Sequence, residues 1–110
     1  MFLILASSSQ LCLSPFLAPC PPTNVSAKIN CTTRNALVSW NSAAAATGYI
    51  VQATSTDGHN SSCSDMGTSC HLDNLVCGQE YSVVVEAMHT GCPGPASAPA
   101  SLTTGQYNCF

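Results

Sequence analysis

The stretch LVCGQEYSVVVEAM, from Leu75 to Met88, decides how this chain is read. After a glycine-containing turn at Cys77–Gly78, Tyr81, Val83, Val85 and Ala87 share one parity, and Ser82, Val84 and Glu86 share the other. Successive side chains of a strand point to opposite faces, so the alternation predicts a strand with its apolar parity inward. Val84 breaks the polar-out pattern. It is a candidate interface residue, although a single exposed valine is ordinary on any protein surface.

The same period-two pattern recurs on both sides of this stretch. Val25, Ala27 and Ile29 alternate with Ser26, Lys28 and Asn30. NALVSWN, residues 35–41, places Ala36, Val38 and Trp40 on one face, and GYIVQATST, residues 48–56, does the same with Tyr49, Val51 and Ala53. Between them, SAAAATG is the one helix-like composition. It is too short to hold a helix and ends at Gly48, so it reads as a loop or a single turn. A turn at Asp57–Gly58, a weaker strand, a turn at Met66–Gly67 and a short strand centred on His71 and Leu72 follow. TGCPGPASAP, residues 90–99, reads as a Gly/Pro loop, and Ala100 to Thr103 as a last strand that Pro99 places at an edge. Seven short β segments without a long helical pattern predict an all-β, seven-stranded sandwich. The inward set would be Val25, Ala27, Ile29, Val38, Trp40, Tyr49, Val51, Leu72, Leu75, Tyr81, Val83, Val85 and Ala87. Inward parity makes Trp40 a packing residue in preference to an exposed stacking ring.

With 110 residues there is room for one domain and short flanks. The cluster Pro19-Cys20-Pro21-Pro22 blocks helix and central strand alike and marks a boundary. We expect residues 1–20 to be a poor signal peptide or a leader outside the domain, 21–104 the domain, and 105–110 a linker or the start of a truncated next repeat. The leader's apolar run is broken by SSSQ, lacks a positive start and is too short to span a membrane. Charged residues are 6% of the chain, against about 25% in ordinary soluble domains. Lys28 and Arg34 are the only basic side chains, which argues against nucleic acid and against an anionic membrane surface.

Eight cysteines, Cys12, Cys20, Cys31, Cys63, Cys70, Cys77, Cys92 and Cys109, are the strongest compositional signal. Such density in a short chain reads as a secreted disulfide scaffold. No CxxC pair occurs, and His59, His71 and His89 lack finger-like spacing, so no zinc site or other cofactor is expected. Three N-x-S/T acceptors, at Asn24, Asn30 and Asn60, fit a secreted, glycosylated chain. His71, Asp73 and a serine could be forced into a triad. No nucleophile elbow or oxyanion-hole pattern accompanies them, so a small hydrolase is the remote reading and no catalytic residue is assigned. Phosphate-binding glycine motifs are also missing.

At "VSW", "GYIVQA", the LxxxxxY stretch from Leu75 to Tyr81 and "GCPGPAS" with its Thr-rich end, the chain resembles a fibronectin type III domain over about Pro21 to Thr104. The resemblance implies an immunoglobulin-like sandwich with Trp40 in the core. It makes Tyr81 a tyrosine corner, its ring filling the end of the core and its hydroxyl bonded to backbone in the preceding turn. Ordinary type III domains carry no disulfides, and here the cysteine placement is similar to that of cysteine-rich, tandemly repeated members of the family. The topology of the resembled fold implies bridges Cys31–Cys77, Cys20–Cys92 and Cys63–Cys70, with Cys12 and Cys109 left free, paired with each other or used outside the module. It separates Cys77 from Cys92 by a whole strand, far beyond the 7 Å or so that a bridge allows between Cα atoms. The implied function is a non-catalytic extracellular binding or adhesion module, or else a structural spacer in an array. Its partner is an unidentified protein or a neighbouring type III repeat. An Arg-Gly-Asp tripeptide is absent, since Arg34 is followed by Asn35.

Overall fold

The structure, a computed structural model, describes residues 20–30, 35–89 and 92–105, with Cys92 and Pro93 through their backbone only. Three strands, β1 (Thr23–Asn30), β2 (Asn35–Asn41) and β5 (Ser69–Leu72), form one sheet in the order β1-β2-β5. The second sheet holds β4 (Asn60–Asp65), β3 (Gly48–Ser55) and β6 (Glu80–His89) in that order. Beyond β6, both β7 (Cys92–Ala96) and β8 (Ala100–Thr103) pair with it. Every pairing is antiparallel. The strands therefore alternate between two ends. At one lie Asn30, Asn35, Ser55, Asn60, Leu72, Glu80 and Thr103; at the other Thr23, Asn41, Gly48, Asp65, Ser69, His89 and Cys92.

Alternation does what period two requires. β2 reads half-buried, buried, exposed, buried, and so on along its length, and β6 buries Tyr81, Val83, Val85 and Ala87. Neighbouring strands pair large side chains with small ones across the inner faces: Tyr49 opposite Ala87, Val83 opposite Ala53, and Leu72 opposite Ala36. Complementary volumes fill a layer without voids or strain. Trp40 and Tyr49 meet at 5.3 Å between ring centroids, tilted by 53°, within the favourable range for aromatic pairs. The indole Nε1 of Trp40 is buried with no acceptor among the described residues, so this tryptophan stabilises by packing. Val25, Ala27 and Ile29 have the expected parity but are only half-buried, because β1 is an edge strand. Ala36, Ala53, Cys70 and Leu102 complete the core.

The loop at SAAAATG is a single turn at Ala44–Ala45, closed by Ala46 N–H donating to the Ala43 carbonyl at 3.2 Å. The segment expected as a Gly/Pro loop is different. Residues Cys92–Ala96 form β7, which pairs with β6, and the edge position explains why Pro93 and Pro95 are tolerated there. Between β7 and β8 the chain leaves the ladder at Ser97 without abandoning it. Ser97 N–H donates to the Val85 carbonyl at 2.8 Å, and its Oγ accepts the Val85 N–H at 2.9 Å. A serine hydroxyl thus replaces the missing backbone acceptor. The seventh strand of the sandwich is a single edge strand interrupted at Ser97.

Leu72 is fully buried, whereas Ile29 lies half-covered on the edge. Leu72→Ala should therefore cost about 2–5 kcal/mol. Ile29→Ala should cost clearly less, as read from urea unfolding midpoints. Equal losses would show that β1 is as deeply held as β5.

Candidate binding surfaces and the closed ends of the sandwich

Each end of the sandwich is closed by a tyrosine hydroxyl that accepts a loop N–H. At one end Tyr81 is fully buried and its hydroxyl accepts Val76 N–H at 2.8 Å. The expected corner is present. The loop it holds, residues 74–79, turns through left-handed Asn74 and Gly78, conformations that suit those two residue types. Thr104, buried behind it, accepts Gln79 N–H at 2.7 Å and donates its hydroxyl to the Val76 carbonyl at 2.7 Å. Its backbone N–H adds a bond to the Gln79 carbonyl at 2.9 Å.

The Tyr81 hydroxyl has a second partner, His59 Nδ1 at 3.0 Å, with the rings 6.0 Å apart and near perpendicular. Because the tyrosine oxygen accepts from Val76, its own proton is available to the imidazole nitrogen. The β3–β4 turn delivers this histidine. Ser55 Oγ accepts His59 N–H at 2.9 Å, Ser55 N–H returns a bond to the His59 carbonyl, and Gly58 takes a φ of 89° between them. In sequence, His59 is one polar residue of a turn. Its contact with Tyr81, 22 positions away, carries no local signal.

At the other end Tyr49 receives Ala43 N–H at 2.8 Å, which holds the short turn with its left-handed Ala45 against Trp40. Thr47 is tied to the Met88 carbonyl through both its N–H and its hydroxyl. One side is closed covalently. Cys63 on β4 and Cys70 on β5 form a disulfide with Cα atoms 6.3 Å apart, joining edge strands of opposite sheets. Among the other cysteines, Cys20 and Cys77 are exposed free thiols. Cys92, the expected partner of Cys20, is described through its backbone only, and Cys31, the expected partner of Cys77, lies outside the described residues. Cys12, Cys31 and Cys109 lie outside the described residues.

The residues weighed for catalysis are engaged otherwise. His71 stands exposed on β5 opposite Leu37. The Asp73 carboxylate accepts from Asn35 Nδ2 at 3.3 Å, and Ser61 Oγ donates to the Asp73 carbonyl at 2.7 Å. A triad needs serine, imidazole and carboxylate bonded in that order. Here the carboxylate holds an amide and the serine holds a backbone oxygen, both fixing the β5–β6 connection to its neighbours. These three side chains do not form a catalytic triad. Among the described residues no group of three or more His, Cys, Asp or Glu side chains could hold a metal ion, and no helix is long and apolar enough to cross a membrane. The sequon residues Asn24, Asn30 and Asn60 are all exposed. Val84 is half-buried on the outer face of the five-stranded sheet.

The two tyrosines can be tested against each other. Tyr81→Phe takes the acceptor from the part-buried Val76 N–H and removes the His59 contact, and should lower stability by about 1–3 kcal/mol with the far-ultraviolet spectrum unchanged. Tyr49→Phe, which removes a hydroxyl with one partner, should cost less in the same denaturant titration. Equal costs would mean that the imidazole contributes nothing to the Tyr81 end.

The fold is shared widely among known structures. The "Myokine structure" is 26% identical with a TM-score of 0.67, covering 81% of this chain and 100% of that one. The crystal structure of an Fn3-like protein from Clostridium thermocellum is 27% identical, TM-score 0.67, over 81% of this chain and 96% of that one. The chicken CNTN1 FN1–FN3 domains match at 25% identity and a TM-score of 0.69, over 81% of this chain and 32% of that one. No curated protein sequence matches significantly. The fibronectin type III domain model matches residues 20–103, the span that holds both tyrosine-closed ends and the two sheets between them. The chain belongs to the fibronectin type III family.

Proposed function

We propose that this domain is a non-catalytic extracellular protein-binding or adhesion module. One observation carries the reading. The buried hydroxyls of Ser55, Ser97 and Thr104 are spent on backbone groups, while Ile50, Val84 and Met88 stay half-exposed on the outer face of the five-stranded sheet. An open sheet face with apolar side chains within reach suits a protein surface; it lacks the enclosed, convergent polar groups of a small-molecule site. Cysteine density, the Cys63–Cys70 bridge and three exposed sequon asparagines support an extracellular setting.

A spacer role in a tandem array is the second reading. Pro19-Cys20 opens the domain and Cys109 follows its last strand, a pattern similar to the cysteine-rich repeats of fibronectin type III domain-containing protein seven. Displaying the oxidised domain from secretory cells as a tetramer against arrayed extracellular proteins and tandem type III repeats separates the two. Saturable binding to another ectodomain, lost when the domain is unfolded, is expected. Binding to repeats alone would leave the spacer role, and binding to neither by a folded probe would remove the module from the adhesion class.

The two longer bridges belong to the same proposal. Asn30, one residue before Cys31, shares its end of the sandwich with the Tyr81-bound loop that carries Cys77, and Thr23 and Cys92 share the other end. In the oxidised, secreted protein we expect Cys31–Cys77 and Cys20–Cys92 beside Cys63–Cys70, and glycans on one or more of Asn24, Asn30 and Asn60. Non-reducing peptide mapping and a glycosidase gel shift read both. Each long bridge should add about 2–4 kcal/mol, so replacing Cys31 and Cys77 together should lower the unfolding midpoint with the fold retained. A Cys77–Cys92 bridge would overturn the antiparallel placement, and an unglycosylated, fully reduced product would overturn the extracellular setting.

A further inference from the structure

At the Tyr49 end, the outer face of the five-stranded sheet carries a shallow groove. Its floor is Gly48, where a Cβ would meet only the Asp65 carbonyl, at 4.0 Å, so the space above it is open. Register sets the walls: Met88 lies opposite Gly48, and Ser64 lies opposite Ile50. Ile50 and Met88 are half-buried. Met66 stands at the rim, 82% exposed and the most exposed large apolar side chain among the described residues. Exposing a methionine to this extent gains the folded domain nothing, and flexible thioether side chains adapt well to a docking surface.

The charge around the groove has one sign. Glu86 lies opposite Ile50 on the same face, while Asp65, opposite inward-facing Tyr49, reaches the groove through its backbone carbonyl and holds Gly67 N–H with its carboxylate at 2.7 Å. Lys28, the one basic side chain among the described residues, belongs to β1 in the other sheet. Sequon positions Asn24 and Asn30 are also on β1, and Asn60 begins β4 at the end away from Asp65. Glycans at Asn24 or Asn30 would leave the groove uncovered.

We propose that this groove docks a segment of another protein that presents lysine or arginine beside apolar side chains. The proposal rests on the binding-module reading and names its surface and the chemistry of its partner. Apolar contact with Ile50, Met66 and Met88 supplies the buried area. Glu86 selects for the cation and against acidic partners, since like charges brought together in an interface are costly. A second copy of the chain is the poorer fit: its Lys28 lies on the face that carries two of the sequons.

The test uses the whole oxidised chain, isotopically labelled, titrated by amide NMR with short peptides. One alternates leucine with lysine, one leucine with glutamate and one serine with lysine. The leucine–lysine peptide should shift Gly48, Ile50, Ser64, Met66 and Met88 saturably, with affinity falling as salt rises. The other two peptides should bind about tenfold more weakly or worse. Met66→Ser and Glu86→Gln should each weaken binding severalfold while leaving the unfolding midpoint and distant amides unmoved. Equal binding of the leucine–glutamate peptide, or shifts confined to the Lys28–Leu37–His71 face, would overturn the proposal. So would concentration-dependent shifts at the groove without peptide, which would make the occupant a second copy. An array partner whose binding ignores Met66→Ser would overturn the groove and leave the binding-module reading standing. Absence of both peptide and array binding would remove both.

Discussion

The buried hydroxyl of Tyr81 is the constraint around which one end of the domain is assembled. The ring belongs to the core, yet its oxygen must find partners there, because a buried hydroxyl without them is costly. Val76 N–H and His59 Nδ1 supply them. Each partner orders a different connection: the 74–79 loop between the sheets, and the β3–β4 turn. Thr104 then locks the first of these from behind with bonds to Val76 and Gln79. One phenol oxygen thus coordinates the end of β3, the start of β6 and the close of β8.

The opposite end repeats the solution with different parts. Tyr49 holds the short alanine turn through Ala43 N–H and presses against Trp40. Between the ends, Cys63–Cys70 joins β4 to β5, where the two sheets would otherwise meet only by packing. These devices suit a chain with 6% charged residues. A surface this poor in ion pairs and a core rich in alanine and valine leave hydrogen-bonded loop closures and a covalent tie to hold the margins. A marginally stable domain depends on a few such terms of about 1–3 kcal/mol each.

Closing the ends in this way also shapes function. The buried hydroxyls of Ser55, Ser97 and Thr104 are committed to backbone atoms, and the sheet faces and edge strands are the open contact surfaces. The two outer faces differ. That of the three-stranded sheet carries Lys28, exposed Leu37, His71 and two sequon positions. That of the five-stranded sheet carries half-buried Ile50, Val84 and Met88 beside Glu86, with no basic side chain among the described residues. A module with unlike faces can meet one partner with one and keep the other solvated.

The sequence by itself determined the sandwich, because a strand's two faces see different solvents and its alternation records which is which. The core parity of β2, β3 and β6, the placing of Trp40 and Tyr81, and the turns at Asp57–Gly58 and Met66–Gly67 were all legible on that ground. The resemblance carried by Leu75–Tyr81 placed the Cys63–Cys70 pair, two cysteines flanking one turn. Tertiary structure decided the rest. His59 and Thr104 act on partners 22 and 28 or fewer positions away, and nothing in a turn or a chain end marks a side chain for such a contact. Ser97 keeps β7 and β8 on one edge through its hydroxyl, so a stretch with three prolines that reads as loop is in part a strand. The half-burial of β1 follows from its position at a sheet edge, which depends on strand order. The groove at Gly48 exists only because register sets Met88 and Ser64 across β3 from each other. Local pattern is written in periodicity; register and strand order arise from the simultaneous packing of all the strands.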